Sequence, residues 1–143
     1  MSAITLAKAN AIIEAAFAKG RDTGLKPLVV CVLDAGGHLV AYQRQDGSSL
    51  LRFQISSGKA FAALGLGMGS RKIEAMAKER PHFVSALSDA SGGRIVPVPG
   101  GVLVRDGEGA ILGAVGISGD TSDNDEACAI AGIVAAGFTA DAG

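Results

Sequence analysis

Aromatic residues and cysteines are scarce in this sequence. Its 143 residues include no Trp, one Tyr, five Phe and two Cys. With so few aromatic rings, a base-stacking platform for single-stranded nucleic acid is not expected. Cys31 and Cys128 lie far apart in apolar segments, so the sequence predicts two buried free thiols.

An excess of charge of either sign is also lacking. The chain has 13 Lys and Arg against 14 Asp and Glu, and its basic residues are scattered. A nucleic-acid partner, which usually requires a basic stripe, is therefore not expected. No run approaches the ~18 apolar residues of a membrane helix. Residues 1–20 have an amphipathic pattern rather than a secretory signal, so we expect a cytoplasmic protein with no membrane partner.

Glycine and aliphatic residues, in contrast, are abundant. The 21 Gly follow no period, and their share is about twice the usual one. They cluster at turns and within apolar strands, which indicates tight hairpins and close contacts between backbones. Because 48% of the 143 residues are hydrophobic, the chain can bury one core, and we predict a single domain over residues 1–143.

Hydrophobic periodicity predicts the helices and strands. Helical spacing predicts three main helices, over residues 5–21, 50–64 and 125–138. A shorter helix is predicted from Ser70 to a stop at Pro81, followed by a short helix and loop up to Arg94. Apolar runs predict four strands, over residues 28–33, 39–44, 102–105 and 111–117. The first of these strands is expected to be covered on both faces.

Two glycine-containing turns connect the predicted strands in pairs. Residues 34–38 and residues 106–109 each separate two apolar runs, which is a strong signal for a β-hairpin. Adjacent hairpins form an antiparallel sheet against which helices pack. The fold class is therefore predicted to be α/β in the α+β sense.

Acidic residues collect where the last helix is predicted to begin. The run from Asp120 to Glu126 could bind a cation, but it lacks the glycine and the spacing of a calcium loop. Carboxylates at a helix N-terminus also stabilise the helix dipole, and this interpretation is preferred. Ser122-x-x-Asp125 and Asp123-x-x-Glu126 resemble capping boxes. At the second helix, Ser48 or Ser49 is the expected cap.

Other short motifs do not match the nucleotide-binding, nucleophile or metal-binding patterns that they resemble. Gly65-x-Gly67-x-Gly69 follows a predicted helix rather than a strand, and its spacing is not that of a dinucleotide fingerprint. Residues 116–120 lack the last glycine of a nucleophile elbow. Neither His38 nor His82 has a Cys or His at metal-ligand spacing, so no metal site is predicted.

Three stretches together carry a family resemblance. The first is Val32-Leu33-Asp34-Ala35-Gly36-Gly37-His38-Leu39-Val40-Ala41-Tyr42-x-Arg44-x-Asp46-Gly47. The second is Ser56-x-x-Lys59-Ala60 with Ala62-Ala63. The third comprises Pro99-Gly100-Gly101-Val102, Asp106-Gly107, Gly113-Ala114-Val115-Gly116-Ile117-Ser118-Gly119, Asp125-Glu126 and Ala129-x-Ala131-Gly132. In this combination, over nearly the whole chain, the sequence resembles the GlcG/HbpS-like family, which includes the C-terminal domain of PduO-type proteins.

The resemblance implies a fold and several properties. It implies a profilin-like fold with a five-stranded antiparallel sheet flanked by helices, in the order α-β-β-α-β-β-β-α. It implies homo-oligomers, built from dimers and often assembled into octamers. Some members of the family bind haem, and PduO relatives work beside corrinoid chemistry. Others are associated with catabolic pathways, glycolate use among them.

Lys59 and Glu126 are the candidate catalytic residues. Lys59 shares a helix face with Arg52 and Ser56, and it belongs to the motif that carries the resemblance. Its ammonium would face a cleft between the second helix and the sheet, where it would hold a carboxylate or act as an acid or base. The alternative is a solvated surface lysine. Glu126 is either a helix cap or a proton carrier.

The candidate ligand-binding residues are Arg44, Asp46, Lys59, Gly100 and Gly101. The planar guanidinium of Arg44 would bind a carboxylate or a propionate. Alternatively, Arg44 and Asp46 form a local ion pair that stabilises the loop. Gly100 and Gly101 would expose backbone N–H groups to a ligand, or would simply form a turn or bulge.

Haem is the candidate cofactor that the resemblance implies. In that case His38 and His82 are candidate axial ligands. The alternative for His38 is an exposed turn residue without a ligand role. Three functions are consistent with the sequence. The first is an oligomeric module that binds a small anionic molecule such as haem, and the second is a cofactor-independent isomerase, lyase or hydrolase of a small organic acid. The third is an accessory subunit of a partner enzyme.

Overall fold

The computed structural model describes residues 3–143, which form five helices and one five-stranded antiparallel sheet. The helices are α1 (Leu6–Asp22), α2 (Arg52–Leu66), α3 (Ser70–Glu79), α4 (Pro81–Ala90) and α5 (Ser122–Ala135). The strands are β1 (Val29–Asp34), β2 (Leu39–Arg44), β3 (Gly101–Arg105), β4 (Ile111–Ser118) and β5 (Thr139–Asp141). In the sheet they lie in the order β2-β1-β4-β3-β5. The predicted fold class is confirmed.

The two predicted hairpins are present, and each is closed by an aspartate. The Asp34 carboxylate accepts the N–H groups of Gly36 and His38, both at 2.9 Å, in the turn between β1 and β2. The Asp106 carboxylate accepts the N–H groups of Glu108 and Ala110 at the same distance in the turn between β3 and β4. Side-chain acceptors of this kind hold a turn without help from the sheet.

Helices cover both faces of the sheet. One face carries α1 and α5, and the other carries α2. Strand β1 contributes to both layers, because Val30 and Val32 pack toward α1 and α5 whereas Cys31 and Leu33 pack toward α2. The prediction that this strand is covered on both faces is confirmed.

Glycines in the sheet let α2 approach the strands closely. A Cβ atom added to Gly116 on β4 would lie 1.8 Å from the Ser56 carbonyl oxygen. A Cβ atom added to Gly101 on β3 would lie 2.1 Å from the Lys59 carbonyl oxygen. Any side chain at either position would push α2 away from the sheet, so these glycines determine where the side chains of α2 lie.

The predicted order of elements is wrong at the C-terminus. The fifth strand, β5, follows the last helix instead of preceding it, and it pairs with the edge of β3. Gly137, with φ +90°, follows α5 and lets the chain turn back toward the sheet. A strand of three residues carries too little alternation to be recognised in a sequence.

The starts of two helices also differ from the prediction. Helix α5 begins at Ser122 rather than at 125, because the Thr121 hydroxyl accepts the Asn124 N–H at 3.2 Å and caps it. Neither predicted capping box provides that cap. Helix α2 begins at Arg52 after Leu51, with no side-chain cap. The Ser49 hydroxyl instead accepts a hydrogen bond from the Arg52 side chain.

Candidate functional site

Lys59 projects from α2 into the interior of the protein. Its side chain is 2% exposed, so it is not a solvated surface lysine. The ammonium donates hydrogen bonds to the Ile117 carbonyl oxygen at 2.8 Å and to the Asp125 carboxylate at 3.0 Å. Gly100 makes room for it, since a Cβ atom there would lie 2.9 Å from Nζ. The structure therefore brings Lys59 and Gly100 together, but in the closed interior rather than in the predicted cleft. Gly101 is buried as well, and its N–H donates to the Ser70 hydroxyl at 2.8 Å instead of facing a ligand.

Asp125 is the partner of Lys59 that the sequence analysis missed. Its side chain is 1% exposed, and its second oxygen accepts the Asp120 N–H at 3.0 Å. Because α2 and α5 lie on opposite faces of the sheet, the ion pair joins the two helix layers around the end of β4. Asp125 is part of the Ser122-x-x-Asp125 motif, but a carboxylate at a helix start is usually interpreted as a cap rather than as the partner of a buried lysine.

Burial acts against the charge on both members of this pair. Burial lowers the pKa of Lys59, and the neighbouring Asp125 carboxylate opposes that shift. Burial raises the pKa of Asp125, and the Lys59 ammonium opposes the shift. Each charge therefore depends on the other for its stability in the interior. The pair is built to hold two layers together and leaves the ammonium little access to solvent.

Glu126 has a different partner from Lys59. The Arg71 side chain, on α3, donates from Nε to both carboxylate oxygens of Glu126, at 3.0 and 3.2 Å. A second Arg71 nitrogen donates to Asp123. These contacts raise the pKa of the Arg71 guanidinium and tie α3 to the first turn of α5. The two candidate catalytic residues thus lie in separate ion pairs, and their catalytic role stays a prediction.

Arg44 and Asp46 are exposed at the end of β2. Within residues 3–143 they do not form an ion pair with each other. Gln45 between them accepts the Leu28 N–H at 2.8 Å and anchors this end of the strand. Asp46 borders a cavity of about 290 Å³ that also has Lys26 in its wall. In the sheet, β1 and β4 lie between β2 and β3, which carries Gly101.

An open groove lies beside α2, and we call it the α2 groove. It runs between α2, the β1–β2 hairpin and the segment that follows α4, and its volume is about 320 Å³. Its lining is formed by Cys31, Leu33, Gly37, Leu39, Phe53, Gln54, Ser57, Gly58, Phe61, Gly93 and Arg94. Most of these residues are apolar, and one of them, Arg94, is charged. Such a composition is typical of small-molecule sites.

Aromatic rings and one cation shape the α2 groove. The Phe53 ring packs edge-on against Tyr42, with ring centroids 4.8 Å apart. The guanidinium of Arg94 lies over the Phe61 ring, 4.0 Å from its centroid. At the base, burial raises the pKa of the Cys31 thiol to about 12, so the thiol is neutral at pH 7. Sequence reasoning missed this groove because three distant segments form it.

The two histidines are placed differently relative to the groove. His38 lies in the β1–β2 turn between Gly37 and Leu39, which both line the groove. Its side chain is 83% exposed, and its Nδ1 lies 3.4 Å from an Asp34 carboxylate oxygen. His82 is exposed in the first turn of α4 and is not part of the groove lining.

Residues 3–143 contain neither a metal-binding cluster nor a membrane-spanning helix. No group of three or more His, Cys, Asp and Glu side chains in that range is arranged to hold a metal ion. No helix in that range is long and apolar enough to cross a membrane.

The fold and the groove define a small α+β domain with a ligand-sized apolar site beside a helix. The chain belongs to the HbpS-like family, since the family model described as "Haem degrading protein HbpS-like" matches residues 4–134. The resemblance predicted from the sequence is thereby confirmed. The chain is also 33% identical over 126 residues to an uncharacterized 15.0 kDa protein of Citrobacter freundii, a match that covers 87% of this chain and 86% of that protein.

Solved structures show the same fold. The Klebsiella pneumoniae protein ORFY is 30% identical and superposes with a TM-score of 0.84, covering 95% of this chain and 92% of that one. A double mutant of HbpS from Streptomyces reticuli is 25% identical, with a TM-score of 0.80 and coverages of 94% and 87%. PduOC, solved as a complex with heme, is 22% identical, with a TM-score of 0.85 and coverages of 96% and 97%.

Proposed function

We propose that this protein binds haem or a related flat tetrapyrrole in the α2 groove. The observation that carries the proposal is the groove itself, which is open, mainly apolar and lined by the rings of Phe53 and Phe61. Its volume of about 320 Å³ lies at the lower end of the roughly 300–1,000 Å³ of ligand pockets. A flat ligand that enters edge-first suits an open groove of this size.

The family supports the choice of ligand. The description of the matching family model names a haem-degrading protein, and PduOC was solved with heme bound. These two findings make a tetrapyrrole a better first ligand to test than another flat apolar molecule.

His38 is the axial ligand that we propose for the iron. Metal-binding imidazoles commonly donate their second N–H to a carboxylate, which orients the ring. The Asp34 carboxylate, 3.4 Å from Nδ1, is placed to do so and leaves Nε2 free. His38 stands at the rim of the groove, because its two sequence neighbours, Gly37 and Leu39, line it.

Haem titration tests both the ligand and the histidine. We expect the purified protein to produce a Soret band distinct from that of free haem, with saturation at one haem per chain. His38→Ala should shift the band and weaken binding. His82→Ala is the matched control, because His82 is also exposed but lies outside the groove lining, and it should leave the spectrum unchanged. A flat titration of the unmodified protein contradicts the proposed function.

We also propose that the chain forms homo-oligomers, with dimers assembling further into octamers. Apolar side chains are exposed around the start of α2, where Leu50 is 92% and Leu51 is 61% exposed. Leu39, on edge strand β2, is 53% exposed. Such a patch is unfavourable in water unless another molecule covers it. Light scattering should give a smaller mass for Leu50→Glu than for the unmodified protein.

A cytoplasmic location and an association with a catabolic pathway also stay proposals. Fractionation of the host tests the first. The association with a catabolic pathway is tested by growth of a deletion strain on candidate carbon sources. The unmodified protein and the His38→Ala variant are each reintroduced for comparison. If both forms restore growth equally, ligand binding is not what the pathway requires.

A further inference from the structure

Arg94 is held in a fixed position at the edge of the α2 groove. Its guanidinium stacks on Phe61 at 4.0 Å, and its Nε donates to the Ser91 carbonyl oxygen at 2.9 Å. Its backbone N–H donates to the Ser91 hydroxyl at 3.3 Å. Among the hydrogen bonds of residues 3–143, none uses the two terminal nitrogens of this guanidinium. The side chain is therefore oriented, while its strongest donors are free.

The backbone that carries Arg94 is fixed on α2. Gly92 and Gly93, with φ +73° and +78°, end α4 and turn the chain toward α2. The Val96 N–H donates to the Gly58 carbonyl oxygen at 3.2 Å. The contact leaves no spare room, because a Cβ atom added to Gly58 would lie 2.5 Å from a Val96 methyl and 3.2 Å from the Arg94 carbonyl oxygen.

Two other cationic side chains, Lys59 and Arg52 of α2, already have partners within the protein. The Lys59 ammonium is buried against Asp125. The Arg52 side chain donates to the Ser49 and Ser118 hydroxyls. Among the described residues that line the groove, Arg94 alone carries a charge. A ligand in the groove that bears a negative group would therefore meet its counter-charge at this position.

We infer that Arg94 is the specificity-determining residue of the α2 groove and binds a carboxylate at one edge of the ligand. This inference rests on the proposed function. A guanidinium presents two parallel N–H groups that match the two oxygens of a carboxylate. Stacking on Phe61 covers one face of the guanidinium and leaves this edge free. The ligand class is thus a flat apolar ring system with a carboxylate on its rim.

The test compares a porphyrin with and without its charge. The protein is titrated with metal-free protoporphyrin IX and with its dimethyl ester, and binding is followed by fluorescence. The metal-free ring removes any effect of iron ligation, and the ester removes the carboxylate charges. The unmodified protein should bind the free acid more tightly than the ester. Arg94→Gln should weaken binding of the free acid by about 10- to 100-fold, the range expected for a hydrogen bond to a charged group. Binding of the ester should weaken much less than binding of the free acid, and Arg94→Lys should recover only part of the affinity.

Three results separate the inference from the proposed function. If Arg94→Gln binds the free acid as tightly as the unmodified protein does, the role of Arg94 is wrong and the groove proposal stands. If the unmodified protein binds haem but neither porphyrin, the inference is wrong and the groove proposal stands; if it binds none of the three, the proposed function itself is wrong, and the inference with it.

A second pair of variants tests the position of Arg94 without removing it. Gly58→Ala should displace the segment that carries Arg94 and weaken binding of the free acid more than binding of the ester. Gly65→Ala is the control on the same helix, since a Cβ atom there has no neighbour within 4 Å. Equal affinities of the two alanine variants for the free acid would contradict the inference.

Discussion

Removing one partner of the Lys59–Asp125 pair should destabilise the whole domain. Lys59→Met keeps the length and apolar stem of the side chain but deletes the ammonium. The Asp125 carboxylate, 1% exposed, would then lose its charged partner and keep only the Asp120 N–H on its other oxygen. Solvent cannot replace the lost contact because the site is closed, so the remaining charge is left uncompensated.

The expected cost follows from this burial. Breaking a buried ion pair by removing one partner costs about 3–5 kcal/mol. The free energy of unfolding of a typical domain is only about 5–15 kcal/mol. For a chain of this size, each kcal/mol lowers Tm by about 2–4 °C. Lys59→Met should therefore lower Tm by about 6–20 °C.

A double-mutant cycle measures the interaction itself. Urea unfolding is followed for Lys59→Met, Asp125→Asn and the double variant. Asp125→Asn removes the charge but keeps an oxygen that can accept the Asp120 N–H. Since the double variant has no unpaired charge, it should lose less stability than the sum of the single variants, by about 0.5–3 kcal/mol.

A surface ion pair provides the control for this cycle. Lys78 and Glu74 lie 3.7 Å apart on α3, and the Lys78 side chain is 77% exposed. Lys78→Met should cost no more than about 0.5 kcal/mol. If Lys59→Met costs as little as Lys78→Met, or if the cycle shows no coupling, the interpretation of the pair as a tie between layers is refuted.

Three further predictions concern packing, acid stability and thiol reactivity. Gly116→Ala should destabilise the protein by about 1–3 kcal/mol or more, because its Cβ would lie 1.8 Å from a carbonyl oxygen of α2. Gly65→Ala, in open space on α2, should stabilise it by about 0.5–1 kcal/mol. Hydrogen bonds lower the pKa of Asp120 from 3.8 to about 2. Its contribution to the free energy of unfolding is therefore present above pH 3.8 and is lost as the pH falls toward 2. Asp120→Asn should flatten the plot of unfolding free energy against pH in that range. Burial raises the pKa of Cys31 to about 12 and of Cys128 to about 11, so a chromogenic disulfide reagent at pH 8 should detect no thiol in the native protein and two after unfolding.

Each of these predictions has a clear contrary result. Equal unfolding free energies for Gly116→Ala and Gly65→Ala would contradict the close contact of α2 with β4. An acid-unfolding curve that Asp120→Asn leaves unchanged would show that this carboxylate is not stabilised in the folded state. Rapid modification of one thiol in the native protein would show that the base of the α2 groove is open to solvent.

Local patterns determined most of the secondary structure. The apolar run before Asp34, the glycine turn and the alternation from Leu39 to Arg44 predict the first hairpin, and the structure confirms it. The hairpin around Asp106 follows in the same way. These features depend on residues close together in sequence, so a sequence read alone can supply them. The family resemblance, which rests on motifs spread along the chain, added the five-stranded sheet, and the comparisons confirm it.

The tertiary structure decided which side chains meet. Lys59 was recognised in the sequence, yet its partner proved to be Asp125 rather than the adjacent Glu126, because neighbouring positions on a helix point in directions about 100° apart. Arg94 and Phe61 were not recognised, since their contact depends on how the segment after α4 lies on Gly58. The sequence by itself determined the elements and the family, which follow from local periodicity and motif. The ion pair and the groove needed the packed structure, because their members come from distant segments that only folding brings together.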